Sequence, residues 1–221
     1  MIIAHASDLH GSYKALGKVE TPDLWLITGD FFPNYGRGRK TGGLIDAEFE
    51  RSHQRRWWGY KGASIITRLR GKPVIWCPGN HDFVSLEVLL KRNYPALVHD
   101  VSKTPLEFMG QTWAGYREIP YLAGEWMGET QDFQEIVRTA MSANPTILVT
   151  HAPPGGILDD DKEGEYGHGC GVTAQTSALA YQEHRVTHHF FGHIHAQGGK
   201  THEEMGVKFV NSATCIQIIE I

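Results

Sequence analysis

Short apolar runs recur along the chain, and most stop abruptly at a small or polar cluster: Ile2 to Ala6, Leu24 to Thr28, Pro73 to Cys77, Ile147 to Thr150 and His189 to Phe191. Runs of roughly three to six residues with such ends predict buried strands. Between them lie segments of helical period: Leu44 to Leu69, with a break expected near Gly59 and Gly62; Ser85 to Arg92, with Ser85 as N-cap; Thr130 to Met141; and Thr173 to Glu183. Strands alternating with helices predict an α/β layered fold. Two segments break the rhythm. Leu106 to Tyr116 reads as a hairpin turning at Gly110-Gln111, and Val207 to Val210 with Thr214 to Ile219 reads as a hairpin-like pair closing the chain. Mixed sheets are therefore expected, not purely parallel ones.

Composition narrows the class. The 221 residues are 41% hydrophobic and 21% charged, and no stretch approaches the roughly 18 apolar residues of a membrane span. A soluble protein with no membrane partner is expected, as one domain over residues 1–221, with no internal repeat or low-complexity linker. The N-terminus lacks the basic and apolar regions of a secretory signal, so the expected compartment is the cytoplasm. Cys77, Cys170 and Cys215 form no Cys-x-x-Cys pair and read as reduced thiols. The net charge of −4 excludes a globally basic nucleic-acid binder, yet Arg37 to Lys72 carries ten basic against three acidic residues. Such local asymmetry suits an anionic substrate.

Chemistry gathers where the strands end. The first strand runs into Asp8-Leu9-His10, the second into Gly29-Asp30, and the third into Gly79-Asn80-His81-Asp82. The fourth ends in Thr150-His151 and the fifth in Gly192-His193-Ile194-His195. Any one of these is an ordinary turn former or a satisfied histidine. Together they place five of thirteen histidines and four Asp or Asn side chains on one fold edge, and buried polar groups must find partners. A metal site is the economical partner. Carboxylates, imidazoles and an amide oxygen without thiolate suit manganese first, with iron, zinc, cobalt or nickel as alternatives, over calcium or a soft metal. There are more donors than one ion needs, whereas two bridged ions would use them all and clamp both oxygens of an in-line phosphoryl displacement.

These five blocks resemble, in order, the pattern of the calcineurin-like metallophosphoesterase family: Asp-x-His, Gly-Asp, Gly-Asn-His-Asp, His and Gly-His-x-His. The resemblance implies a four-layer αββα sandwich of mixed sheets with a dimetal site at the strand ends. It assigns Asp8, His10, Asp30 and His195 to one ion and Asp30, Asn80, His151 and His193 to the other, with Asp30 bridging. It leaves His81 beside the phosphate and leaving group, with Asp82 placed to orient it. The implied reaction is phosphoester hydrolysis, in which a metal-bridging hydroxide attacks phosphorus and the His81 imidazolium protonates the leaving oxygen. His5, His53, His99, His184, His188, His189 and His202 match no block.

Departures from the pattern shape the substrate. Protein Ser/Thr phosphatases follow Gly-Asp with a further acid and an arginine, whereas here Asp30 precedes Phe31, Phe32, Pro33, Asn34 and Tyr35. His151-Ala152-Pro153-Pro154, Gly169-Cys170 and Asn211-Ser212 are more similar to the small metallophosphoesterase-domain brain proteins and their microbial and viral relatives, some of which hydrolyse phosphodiesters, including cyclic nucleotides. A small nucleotide-type diester is the expected substrate, with Arg37, Arg39 and His168 as candidate contacts; solvated loop residues are the alternative for each. Arg55-Arg56-Trp57-Trp58-Gly59-Tyr60-Lys61 keeps a single-strand nuclease reading open, against an amphipathic helix that buries its tryptophans. The acidic run from Asp159 to Glu165 opposes a long polyanion. A phosphomonoesterase is a further alternative, and a catalytically silent scaffold fits poorly with a site that lacks none of its ligands. Oligomeric state is not legible.

Overall fold

The computed structural model describes residues 1–35, 45–122, 126–160 and 185–221. Strands β1 (Ile2–Ala6), β2 (Leu24–Ile27), β3 (Val74–Trp76) and β4 (Val98–Asp100) run parallel in one sheet. Helices α1 (Ala47–Leu69) and α2 (Leu86–Leu90) lie in the connections after β2 and β3. A hairpin of β5 (Leu106–Phe108) and β6 (Gln111–Tyr116) is followed by a small parallel pair, β7 (Ile119–Pro120) and β8 (Glu129–Thr130). Helix α3 (Gln134–Met141), β9 (Ile147–Thr150), β10 (His188–Phe191), β11 (Lys200–Glu204), β12 (Val207–Asn211) and β13 (Ile216–Glu220) complete the described elements. The first sheet has the order β13-β1-β2-β3-β4, with β13 antiparallel at its edge. The second has the order β11-β12-β10-β9-β6-β5, with parallel inner strands and an antiparallel strand at each edge.

The period of two along each strand sorts side chains into three apolar layers. Ile3, Leu24, Leu26, Ile75 and Cys77 of the first sheet meet Trp113, Ile147, Val149, Phe190 and Val210 of the second. On the far face of the first sheet, Ala4, Ala6, Trp25, Ile27, Val74 and Trp76 pack with Ile65 and Leu69 of α1 and Leu86 and Leu90 of α2. On the far face of the second, Leu148, Phe191 and Phe209 pack with Val137, Ala140 and Met141 of α3. Helices thus cover two face-to-face sheets, which is the expected αββα sandwich of mixed sheets. No helix among the described residues is long and apolar enough to cross a membrane.

Four expectations change. Helix α1 is unbroken through Gly59 and Gly62; the Trp58 indole lies where a side chain at residue 62 would go, so glycine there serves packing. The β5–β6 turn is Met109-Gly110, one residue early, with both φ angles positive (51° and 75°) as a two-residue type I′ turn requires. Helix α3 starts four residues late because Glu129–Thr130 pairs with β7. The closing segments do not form a hairpin: β12 lies in the second sheet and β13 in the first, and β12 instead pairs with β11 across Met205-Gly206. Strand β11 has no buried residue and so no apolar pattern to read; its charges suit an open sheet edge. Ser85 caps α2 as expected, accepting from Val88 N. The segment Thr173 to Glu183 lies outside the described residues.

Two histidines outside the motif blocks are wholly buried. His5 faces the layer between the sheets, with Nε2 2.9 Å from Thr28 Oγ1 and Nδ1 2.7 Å from Ser212 Oγ. His189 Nε2 lies 2.8 Å from Thr150 Oγ1. Burial pushes both imidazoles down to about 3. The folded state therefore refuses protons that the unfolded chain takes up below about pH 6.5. Each neutral imidazole contributes stability that is present above that pH and lost as pH falls toward 3. Between pH 7 and 5 the loss is about 2 kcal/mol per histidine. Urea unfolding of wild type and His189→Gln at both pH values should show that much less pH-dependent loss in the variant; parallel losses would contradict the assignment.

Candidate metal centre

Each motif residue sits just past a strand of one sheet or the other, so the two sheets deliver their polar ends to a common edge. The chain must leave its strands sharply to turn these side chains inward. Asp8, His10, Asp30 and His193 accordingly have φ angles of 53°, 42°, 49° and 67°. This left-handed region is uncommon for residues other than glycine, and such strain gathers at functional sites. Three glycines allow the strand ends to approach. A Cβ on Gly79 would overlap Asp30 Oδ1, one on Gly29 would overlap His151 Nδ1, and one on Gly192 would overlap Ser7 Oγ and Asp8 Oδ2.

The floor of the site is buried and its mouth is open. Asp8, Asp30, Asn80 and His151 are at most 3% exposed, whereas the side chains of His10, His81 and His195 are 25%, 21% and 52% exposed. Asp30 Oδ2 lies 3.7 Å from His10 Nε2 and 3.8 Å from His81 Nε2, and its Oδ1 lies 3.5 Å from His151 Nε2. Burial alone would raise its pKa, but the charges of His151, His81 and His10 outweigh burial and hold it well below the usual carboxylate range. Asp8 behaves alike: burial is outweighed by a hydrogen bond from His195 Nε2 at 3.2 Å and by His151. The carboxylates act back on the imidazoles. Asp30 and Asp8 lift His151 to about 9 against burial, and the Asp8 bond raises His195.

Two overlapping groups have donor atoms within 4.8 Å of one another: Asp8 with His10 and His195, and Asp8 with Asp30 and His151. Asn80 Oδ1 stands 3.0 Å from His151 Nε2, and His193 Nδ1 stands 3.3 Å from the same nitrogen. Donors for two ions are thus contiguous. Two carboxylates buried this closely repel each other unless cations lie between or beside them. Outer contacts aim the donors. His151 Nδ1 lies 2.7 Å from the Thr28 carbonyl, so Nδ1 carries a proton and Nε2 is the nitrogen turned toward Asp30 and Asn80. Asn34 Nδ2 lies 3.2 Å from His10 Nδ1. Asn211 reaches the carbonyls of Gly192 and Ile194, bracing the turn that carries His193 and His195.

The segment 79–83 is held at nearly every backbone group. Asp82 accepts from the N–H groups of Gly79, Asp30, Phe31 and Phe32. Its hydrogen bonds among the described residues all go to backbone, so it ties the β2 and β3 loops together instead of touching the His81 ring it was expected to orient. Burial and the Asp30 charge push its carboxyl up to about 7, against the pull of the Gly79 and Phe32 amides. His81 N donates to Asp30 Oδ1, Met127 N to Asn80 O, and Arg117 Nη2 to Gly79 O. Gln54 on α1 takes Phe83 N on its Oε1 and donates from Nε2 to His81 O. The His81 ring lies 4.1 Å from the Trp126 ring and meets His10 edge-on at 5.2 Å. Burial lowers the His81 pKa, with Asp30 opposing.

The sequence reading missed Thr28, Asn34 and Gln54. Only Gln54 had a legible signal, because it lies on the helical stripe that continues to Ile65 and Leu69. All seven candidate ligands, with His81 and Asp82, come together at the strand ends. Arg37, Arg39 and His168 lie outside the described residues. Trp57 and Trp58 are half-buried: the Trp57 ring packs against Tyr13, Phe31 and Phe32, and Trp58 packs against Phe32.

Gly79→Ala tests the close approach. A methyl driven against Asp30 and His151 should cut bound manganese below one ion per chain and cost at least about 1–3 kcal/mol of stability. Elemental analysis and thermal melts check both; wild-type metal content would contradict the geometry.

Comparisons with known proteins agree with this fold. Among solved structures, one crystal structure aligns over 99% of this chain and 98% of its own, with a TM-score of 0.62 and 14% identity. A dimetal phosphatase from Danio rerio aligns over 96% of this chain and 86% of its own, with a TM-score of 0.55 and 10% identity. GAP50, the anchor in the inner membrane complex of Plasmodium, aligns over 96% and 71%, with a TM-score of 0.51 and 13% identity. At such identities the likeness is one of fold. No curated protein matches the chain. The calcineurin-like phosphoesterase family model matches residues 1–197. With metal donors gathered at the strand ends of this fold, the chain belongs to the calcineurin-like phosphoesterases and is a metal-dependent phosphoesterase of the binuclear type.

Proposed function

We propose that the protein is a single-domain phosphodiesterase for small nucleotide-type diesters, such as cyclic nucleotides, with two manganese ions as its cofactor. The observation that carries the substrate class is Trp126, an aromatic ring 4.1 Å from the His81 imidazole at the mouth of the site. A base-sized ring beside the leaving group has a surface there to stack on. Three further observations support a small diester. Phe31 to Tyr35 hold neither the acid nor the arginine that follow Gly-Asp in protein phosphatases, and Phe31 and Phe32 are buried in the core. Trp57 and Trp58 are half-buried against core aromatics, which lessens the stacking surface of the nuclease reading. The acidic segment begins next to the site, since Gln197 Nε2 donates to Asp160 O two residues past His195, and that charge opposes a long polyanion. The likeness of His151-Ala152-Pro153-Pro154 and Asn211-Ser212 to the small metallophosphoesterase-domain brain proteins points the same way.

Asp8, His10, Asp30 and His195 would hold one ion and Asp30, Asn80, His151 and His193 the other, with Asp30 shared. When bound, such a pair neutralises phosphate charge and lowers the pKa of water at the site. The chain's own residues do the rest. His10, His81 and His195 line the open mouth, so the phosphate enters on their side. His81, protonated at Nε2, donates that proton to the departing oxygen as the P–O bond breaks. Trp126 covers one face of the imidazole and His10 abuts it edge-on, which limits the directions in which that N–H can point. Arg37, Arg39 and His168 are proposed substrate contacts.

The test is a panel on metal-stripped protein reconstituted with manganese: bis-p-nitrophenyl phosphate, p-nitrophenyl phosphate, cyclic nucleotides and single-stranded DNA. Diester turnover should exceed monoester turnover, and His81→Ala should lose about 10²–10⁴-fold on cyclic nucleotides while keeping its metal. Monoester preference would overturn the diester reading, preferred cleavage of DNA would favour the nuclease, and no turnover with any metal would favour a scaffold.

A further inference from the structure

We propose that Gln54 is the positioning residue that sets the direction of the His81 proton, an inference that rests on the reading of His81 as leaving-group acid. Helix α1 begins with a buried polar stripe where an apolar one would be expected. Glu50 is 4% exposed and accepts Tyr35 N on both carboxylate oxygens; one turn later Gln54 is fully buried. The fully buried apolar residues of the same face, Ile65 and Leu69, come toward the other end, over the sheet. The polar end therefore packs on the loops that carry the chemistry.

Gln54 uses its amide wholly on those loops. Its Oε1 accepts Phe83 N at 2.9 Å, and its Nε2 donates to His81 O at 2.6 Å and lies 3.5 Å from Pro33 O. The contacts bracket His81 in sequence and join its loop to the loop after Asp30. Holding the His81 carbonyl and the Phe83 amide fixes the peptide planes on either side of Asp82. Since His81 N is already held by Asp30 Oδ1, both backbone ends of His81 are pinned. The imidazole then has its own torsions left, and Trp126 and His10 crowd those. Deleting the amide leaves a buried donor and a buried acceptor without partners in the loop, which the loop recovers by shifting. A shift of about 1 Å in a catalytic group is enough to cost 10²-fold in rate. The shortest of its contacts is to His81 itself, so its effect on the reaction runs chiefly through His81.

That route gives a readout a merely structural residue would not move. Proton donation matters most when the leaving oxygen is a poor leaving group and least when it departs as a stable anion. The substitution Gln54→Glu keeps the shape and the acceptor for Phe83 N but sets an oxygen against His81 O. Manganese-loaded wild type, Gln54→Glu and His81→Ala are compared on bis-p-nitrophenyl phosphate and diphenyl phosphate, and on p-nitrophenyl and phenyl phosphate as the monoester pair. Gln54→Glu should lose about 10–100-fold in kcat on the phenyl ester and only a few fold on the p-nitrophenyl ester, with KM and bound metal unchanged. Gln54→Met, which removes both bonds at similar volume, should show the same split and serves if Gln54→Glu fails to fold. Equal losses on both esters, no loss, or loss of metal would overturn the role of Gln54. A flat dependence in His81→Ala itself would instead overturn the acid role of His81, so the two failures are separable.

Discussion

Two buried carboxylates dictate the architecture of the site. Asp8 and Asp30 leave neighbouring parallel strands, are nearly inaccessible to water, and offer oxygens within 4.8 Å of each other and of a wholly buried histidine. Without positive charge among them this arrangement would be strongly unfavourable. Everything around it supplies that charge or the space for it: imidazoles from both sheets, an amide oxygen, three glycines that let the loops close in, and four ligand residues held at positive φ. The αββα sandwich is what makes this possible. Two sheets packed face to face bring the ends of five strands to one edge, with no single segment of chain supplying all the donors.

Around the donors lies a layer of polar contacts that hold the donors and their loops. Thr28 selects the tautomer of His151, Asn211 braces the turn of His193 and His195, and Asp82 ties two loops through four amides. Gln54 extends that layer onto α1. Asp82 bonds to backbone and not to the His81 ring, so it bears on His81 through the loop, alongside the Gln54 amide and the Trp126 ring.

Much of this was legible in the sequence, because these strands carry both an apolar run and a polar stop. That pattern gathered the Asp, Asn and His residues to one edge, and the resemblance of the five ordered blocks to the family singled out Asp8, His10, Asp30, Asn80, His151, His193 and His195 as candidate ligands. Features that depend on partners distant in sequence were not legible. The pairing of β12 with β11, and not with β13, follows from which sheet each strand joins. Strand β4 has three residues and β11 buries none, so neither shows an apolar period. Gly62 looked like a helix breaker because its role, making room for Trp58, exists only once the helix has formed. Gln54 shows in sequence only as a polar member of the buried stripe of α1; its partners, Pro33, His81 and Phe83, lie on loops before and after the helix.

The account depends on the strand ends holding two ions next to each other, and electron paramagnetic resonance of the metal-stripped protein titrated with Mn²⁺ tests this most directly. It predicts two bound ions per chain and a signal from a spin-coupled manganese pair, lost in Asp30→Asn. Saturation at one ion per chain with the spectrum of isolated Mn²⁺ would contradict it.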